Sequence, residues 1–259
     1  MGVLNLTPDS FSDGGHYAGT DPALARALAM AAEGAAIIDL GGESTRPGAA
    51  PVTVEDERSR VLPVLERLRP RTRAILSIDT RKPELMRAAA AAGADLINDV
   101  YALRAPGALE AAAESGCAVC LMHMQGEPRT MQRAPQYTDV VSEVRAFLKE
   151  RVEACRAAGI ADERLVLDPG FGFGKTLEHN LTLLRHLEEV RIDGLPILAG
   201  LSRKSMIGTI TGKLSQERVH GSVAAALIAA QNGARILRVH DVAATVDALK
   251  ILDAVVHAS

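Results

Sequence analysis

The sequence predicts an α/β fold: a closed (β/α)8 TIM barrel built as a single domain over residues 1–259. Three observations predict it. Short apolar runs alternate with amphipathic or alanine-rich stretches, the pattern of a parallel sheet covered by helices. Eight such strand-then-helix units fit into 259 residues with no linker or low-complexity segment between them, the number a closed barrel requires. Most of the apolar runs also end in a polar or charged residue, and in such barrels the C-terminal strand ends carry the active site. An open doubly wound sheet would need an edge strand, and none of the eight runs reads as polar or Pro-broken.

In order along the chain, Gly2–Leu6 is a short apolar strand with Asn5 near its end, followed by the long polar loop Thr7–Thr20. Asp21 or Thr20 as a cap, with Pro22 behind it, starts a helix to about Glu33. Ala36–Leu40 is the second strand and carries Asp39; the second long loop is Gly41–Thr53, and Val54–Leu68 is helical. Ala74–Ile78 delivers Asp79, Pro83–Ala92 is helical, and Asp95–Ile97 runs into Asn98 and Asp99. A helix over Gly107–Glu114 precedes the fifth strand, Cys117–Met122, which delivers His123; a helix spans Asp139–Ala158. The sixth unit is Leu165–Leu167, Asp168, a glycine-rich loop to Lys175 and a helix over Leu177–Glu189. Pro196–Ala199 is followed by the loop Gly200–Gly212, then a helix over Gln216–Asn232. Arg235–Val239, with Arg238 and His240 at its end, and the helix Val242–Val255 complete the chain.

The sixth unit, LVLDPGFGFGK, reads as a buried strand that delivers a carboxylate into a loop whose backbone must approach a ligand closely. It is neither of the usual phosphate motifs: Pro169 and Lys175 stand where a P-loop and a dinucleotide fingerprint need glycine.

A net charge of −3 with no basic stripe argues against nucleic acid as a partner. No apolar run approaches the length of a membrane span, and Met1–Phe11 lacks the regions of a signal peptide. With three cysteines and no export signal, a reducing cytoplasm is the expected location. Cys117 and Cys120 form a CxxC with His123 nearby. On a strand, positions three apart face opposite sides, and no second CxxC completes a zinc site, so buried small hydrophobes are expected.

The predicted barrel mouth collects Asn5, Asp39, Asp79, Asn98, His123, Asp168, Lys204, Arg238 and His240. Any one reads as readily as an ordinary strand-end polar residue. Nine at one rim, with carboxylates and cations together, are costly unless a ligand uses them. Asp168, Asp79 and Asn98 offer acceptors and an amide for a flat heterocycle rich in N–H donors. Lys204 suits a ring carbonyl, and Arg238 suits a ring face. Arg238, His240 and Arg46 suit an anion, and Asn5 suits Mg²⁺ held mainly by phosphate oxygens and water. The two long loops read as functional, with Phe11 and Asp13 in the first and Thr45, Arg46 and Pro47 in the second.

The ordered blocks MGVLNLTPDSFSDGG, IIDLGGESTRPGA, SIDT, LINDV, MHMQGEPRTMQ, LDPGFGFGK, GLSRKSMIG and LRVHDV resemble those of the dihydropteroate synthase family, from Met1 to Val242. The resemblance implies condensation of 6-hydroxymethyl-7,8-dihydropterin diphosphate with 4-aminobenzoate, giving 7,8-dihydropteroate and diphosphate, with Mg²⁺ as cofactor and Asn5 as metal ligand. It places pterin on Asp79, Asn98, Asp168, Lys204 and Arg238. Diphosphate falls to Asn5, Arg46, Arg238 and His240, and 4-aminobenzoate to Phe11, Thr45, Pro47, Phe173, Lys204 and Ser205. Asp13, Arg46, Lys204, Arg238 and His240 become the catalytic set, sulfonamides the competitors of 4-aminobenzoate, and a homodimer through the last helices the assembly. Members usually carry a short lead-in before the first strand, which is where this sequence starts; this leaves open the cover on the barrel's lower end, and no site residue. A methyltetrahydrofolate-binding methyltransferase barrel shares the pterin-recognising acids but releases no diphosphate, and a non-catalytic pterin-binding paralogue would have damaged loops.

Overall fold

The computed structural model describes residues 1–7, 20–44, 51–126 and 130–258. Among these, eight strands form one parallel sheet in sequential order. They are β1 (Gly2–Asn5), β2 (Ile37–Gly41), β3 (Ile75–Asp79), β4 (Leu96–Asp99), β5 (Ala118–Met122), β6 (Leu165–Asp168), β7 (Ile197–Ala199) and β8 (Ala234–Leu237). A parallel bridge between Gly2 and Val239, with Val3 N–H donating to Val239 O at 3.0 Å, closes the last strand onto the first. The barrel expectation therefore holds, with strand limits shifted by a residue or two.

The helices are α1 (Thr20–Ala32), α2 (Val54–Leu68), α3 (Pro83–Ala91), α4 (Ala108–Ser115), α5 (Val140–Ala157), α6 (Leu177–Arg185), α7 (Ser205–Thr211), α8 (Val219–Gln231) and α9 (Val242–Val256). Their ends have local causes. The Asp139 carboxylate accepts from Val141 N at 3.0 Å to start α5, Thr176 and His179 form a capping box on α6, and Pro83 opens α3. The stretch 205–211, expected to be loop, is helical. Its N-cap position falls on Lys204, without a side-chain cap, and it stops at Gly212 with φ +70°.

Alternation along the strands builds two apolar compartments. The larger lies between sheet and helices and holds Ile38, Leu40, Leu76, Ile78, Ile97, Val119, Leu121 and Leu167. The smaller fills the barrel interior with Ile37, Leu96, Cys120, Val166 and Leu198. Cys117 belongs to the outer compartment and Cys120 to the inner, so the two thiols face opposite sides, as strand geometry requires.

On four strands the chain turns polar two residues beyond an inner apolar position, on the same face. Ile37 leads to Asp39, Leu96 to Asn98, Val166 to Asp168 and Ile236 to Arg238. The register sets Asp39 beside Ser77, Gly41 beside Asp79, Asp79 beside Asn98, and Met122 beside Asp168. An apolar plug thus closes the barrel below, and a charged layer faces its C-terminal mouth.

Candidate active site

Arg238 is the hub of that layer. Its Nε donates to Asp39 at 2.7 Å and its Nη2 to Asp79 at 2.8 Å. Asp39 is fully buried and also accepts from Ser77 Oγ at 2.6 Å and Asn98 Nδ2 at 3.3 Å. Two carboxylates share one guanidinium, so one negative charge is left over. Burial pushes the Asp79 carboxyl up to about 8, with Arg238 opposing and Asp39 reinforcing. Burial works against the Arg238 charge, but the two acids outweigh it and hold its pKa above the ordinary value.

Across the mouth, Asp168 accepts from Gly170 N at 2.7 Å through Oδ1, and burial raises its carboxyl against the pull of Lys204. The Lys204 ammonium donates to Phe171 O and sits 4.8 Å above the Phe173 ring. Burial lowers it to about 8, with Asp168 opposing. Val100, Met122, Met124 and Met131 form an apolar patch against Tyr101 and Phe173 on this side. The mouth therefore joins an acid-and-amide edge, two cations and an apolar-aromatic wall, a set that can take a flat, donor-rich ring. His240 holds the adjoining rim, its Nδ1 3.0 Å from Ser202 Oγ.

The structure brings together Asp79, Asn98, Asp168, Lys204, Arg238 and the half-buried Phe173. Asn5 ends β1 opposite Gly41, and Ser205 is the exposed first residue of α7. Phe11, Asp13, Thr45, Arg46 and Pro47 lie outside the described residues.

One strand-end residue departs from the expected rim. His123 follows Met122 and, by alternation, turns outward; it is buried against Phe147, with Nδ1 2.9 Å from Lys175 Nζ. Asp99 turns outward likewise and accepts from Tyr101 N and Leu103 N, both at 2.8 Å. Strand parity, counted from the apolar residues, was the signal that separates these two from Asn98 and Asp168.

The glycine-rich loop after β6 also differs in detail. Gly170, Gly172 and Gly174 all have positive φ. A Cβ at 170 would collide with His123 O, and one at 174 with the Gln125 backbone. The close approach that demands glycine at these two positions is to the neighbouring β5–α5 segment.

Sequence reasoning placed Asp39 at the rim without a role, and it missed the other supports. Ser77 and Asp39 orient Arg238, and Lys175 anchors the glycine loop. At the root of the second loop, Lys82 bridges Glu43 at 2.7 Å and the fully buried Glu57, while Glu43 accepts from Val52 N at 3.4 Å.

With this geometry in view, comparison with known proteins identifies the lineage. The sequence pattern of the family described as pterin binding enzyme matches residues 1–240. The dihydropteroate synthase of Escherichia coli K12 is 55% identical over 258 residues, covering 100% of this chain and 92% of that protein.

The chain belongs to the dihydropteroate synthase family of pterin-binding enzymes.

Solved structures of the family agree. The Yersinia pestis synthase with a sulfonamide drug superposes with a TM-score of 0.96 at 54% identity, covering 100% of this chain and 94% of that one. The Xanthomonas albilineans synthase in complex with 7,8-dihydropteroate superposes with a TM-score of 0.91 at 54% identity, with 100% and 94% covered.

Proposed function

We propose that this protein is a dihydropteroate synthase, a transferase that joins 6-hydroxymethyl-7,8-dihydropterin diphosphate to 4-aminobenzoate and releases diphosphate. The observation that carries the reading is the mouth itself. Asp79, Asn98, Asp168, Lys204 and Arg238 converge there in a chain 55% identical, over its whole length, to a synthase. Family relatives bind the condensed product and a sulfonamide.

In this reading, Asp168 and Asn98 read the pterin edge, Lys204 bonds a ring carbonyl, and Arg238 lies against the ring while facing the diphosphate with His240. Arg46 adds positive charge. The chemistry is a dissociative substitution: the methylene C–O bond breaks and the electron pair leaves with diphosphate. The cation left on the methylene is delocalised into the pterin ring, and Asp13 stabilises it. The arylamine nitrogen then forms the C–N bond and loses a proton. It is neutral at pH 7, so no strong base is needed to activate it. Phe11, Thr45, Pro47, Phe173 and Ser205 hold the arylamine, and exclusion of water protects the cation.

Mg²⁺ fits the donors present. Among the described residues no cluster of three acidic, His or Cys side chains could cage a metal, and Asn5 offers one neutral oxygen beside Gly41 and Asp79. That is a donor set for an ion held mainly by substrate phosphate and water. Bound there through Asn5, Mg²⁺ would disperse the charge of the departing diphosphate.

Assembly as a homodimer is supported by α9, which exposes Ile251 and Val255, each 69% accessible, and by the neighbouring α8, which exposes Ile228. A cytoplasmic location accords with a folate-pathway enzyme in which no described helix is long and apolar enough to cross a membrane. Sedimentation as a monomer at micromolar concentration would overturn the dimer.

A coupled assay tests the function. Dihydropteroate formation from the two substrates and Mg²⁺, dependent on 4-aminobenzoate and reduced by a sulfonamide, is the expected result. Pterin binding without turnover would refute it.

A further inference from the structure

Lys175 belongs to none of the groups assigned to substrate, yet it is the most completely enclosed lysine near the site, 3% exposed. Its ammonium has three partners for three N–H groups: His123 Nδ1 at 2.9 Å, Gly170 O at 2.9 Å and Phe173 O at 3.0 Å. Burial drives His123 down to about 2, with Lys175 and Arg104 adding to the shift. The ring is therefore neutral at pH 7, and Nδ1 accepts in the tautomer that carries its proton on Nε2; burial also lowers Lys175 to about 7, with Asp168 opposing. The two carbonyls come from the loop that Lys175 itself ends, so the side chain folds back and closes that loop on the outward side of β5.

The remaining carbonyls of the loop are held from elsewhere. Gln132 Nε2 donates to Gly172 O, Tyr137 Oη to Gly174 O at 2.9 Å, and Asn180 Nδ2 to Lys175 O at 3.4 Å. The Lys204 ammonium takes the carbonyl of Phe171 and covers the Phe173 ring. The loop is thus a six-residue clamp. Its inner rivet is Lys175, and its outer face presents Phe173 and the acceptor that seats Lys204.

We propose that Lys175 is a positioning residue for the arylamine half of the site, its buried amino group fixing Phe173 and Phe171 O against Lys204 without touching substrate. This rests on the synthase reading, which puts 4-aminobenzoate at Phe173. The pterin half depends on the loop less directly. Asp168 sits in the sheet opposite Met122 and its carbonyl accepts from His123 N at 2.9 Å, so its backbone is set by β5; the loop reaches it through Gly170 N, which donates to its Oδ1, and reaches the pterin carbonyl through Lys204.

Lys175→Met keeps most of the apolar stem but leaves Phe173 O and His123 Nδ1 without their donor, and Gly170 O with only Phe173 N at 3.1 Å. In the intact protein we expect KM for 4-aminobenzoate to rise about tenfold or more, the size an unpaired buried group implies. The dissociation constant for the dihydropterin diphosphate, measured by calorimetry, should rise by a clearly smaller factor, about threefold or less, transmitted through Lys204. Tyr137→Phe removes one outer tie and keeps Lys175, so it serves if the Met variant does not fold; it should shift the same KM by about two- to fivefold. An equal loss of affinity for both substrates, or a KM for 4-aminobenzoate unchanged in both variants, would overturn the proposal. Absence of dihydropteroate from the unmodified protein would instead overturn the synthase reading, so the two failures are distinct.

Discussion

Replacing Asp39 by Asn tests whether the barrel interior aims Arg238. The Asp39 side chain is fully buried and accepts from Arg238, Ser77 and Asn98. An Asn in its place keeps one oxygen for Ser77 but turns an amide donor toward donors, and the charge is gone. Breaking a fully buried pair costs roughly 3–5 kcal/mol. Arg238 retains 23% side-chain exposure and its second partner, Asp79 at 2.8 Å, which lowers the expectation. One charge-assisted hydrogen bond and a frustrated amide together come to about 3 kcal/mol. A chain of 259 residues has an unfolding entropy near 0.5 kcal/mol/K, so Tm should fall by about 5–6 °C. Thermal denaturation followed by circular dichroism measures this directly. Calorimetry on the same variant should show weaker pterin binding, because Arg238 then swings toward Asp79. A melt within about 1 °C of the unmodified protein would refute the view that Asp39 holds Arg238.

Other substitutions probe the same architecture. Asp168→Asn should weaken pterin binding by about 1–3 kcal/mol, since an amide donor then opposes a ring N–H; unchanged affinity by calorimetry would remove Asp168 from that edge. Asp13→Ala should lower kcat about 100-fold, the scale for losing one group that stabilises developing charge, with pterin affinity nearly constant; equal turnover would end that role. Lys204 has its pKa lowered to about 8 by burial, so kcat/KM should decline as pH rises through 8, and Lys204→Arg should remove that limb. The stability effect has the opposite sign: the unfolded chain holds the Lys204 proton up to 10.5, so folding gains between about 8 and 10.5. Gly170→Ala should cost about 3 kcal/mol or more in urea denaturation, because φ is +67° and the added Cβ meets His123 O.

The sequence by itself determined the eight strand–helix units, their order and the end of the barrel that bears the site, because apolar periodicity and turn residues are local properties. It also determined the family, through blocks spread along nearly the whole chain. Strand parity was present in the same letters: Cys117 and Cys120 were read correctly from it, while His123 was counted with the rim although alternation turns it outward. Helix α7 was hidden because its seven residues, SMIGTIT, include a glycine and β-branched residues with low helix propensity, and its place is set by packing of Met206 and Ile207. What only the tertiary structure decided is the partnership of distant charges. Arg238 meets Asp39 across 199 residues of chain, and Lys175 meets His123 across 52. No local pattern encodes such pairs, since they arise when closure of β8 onto β1 and the register of the sheet bring those side chains within hydrogen-bonding distance. The low dielectric inside the barrel then makes each pairing decisive for where the neighbouring groups can stand.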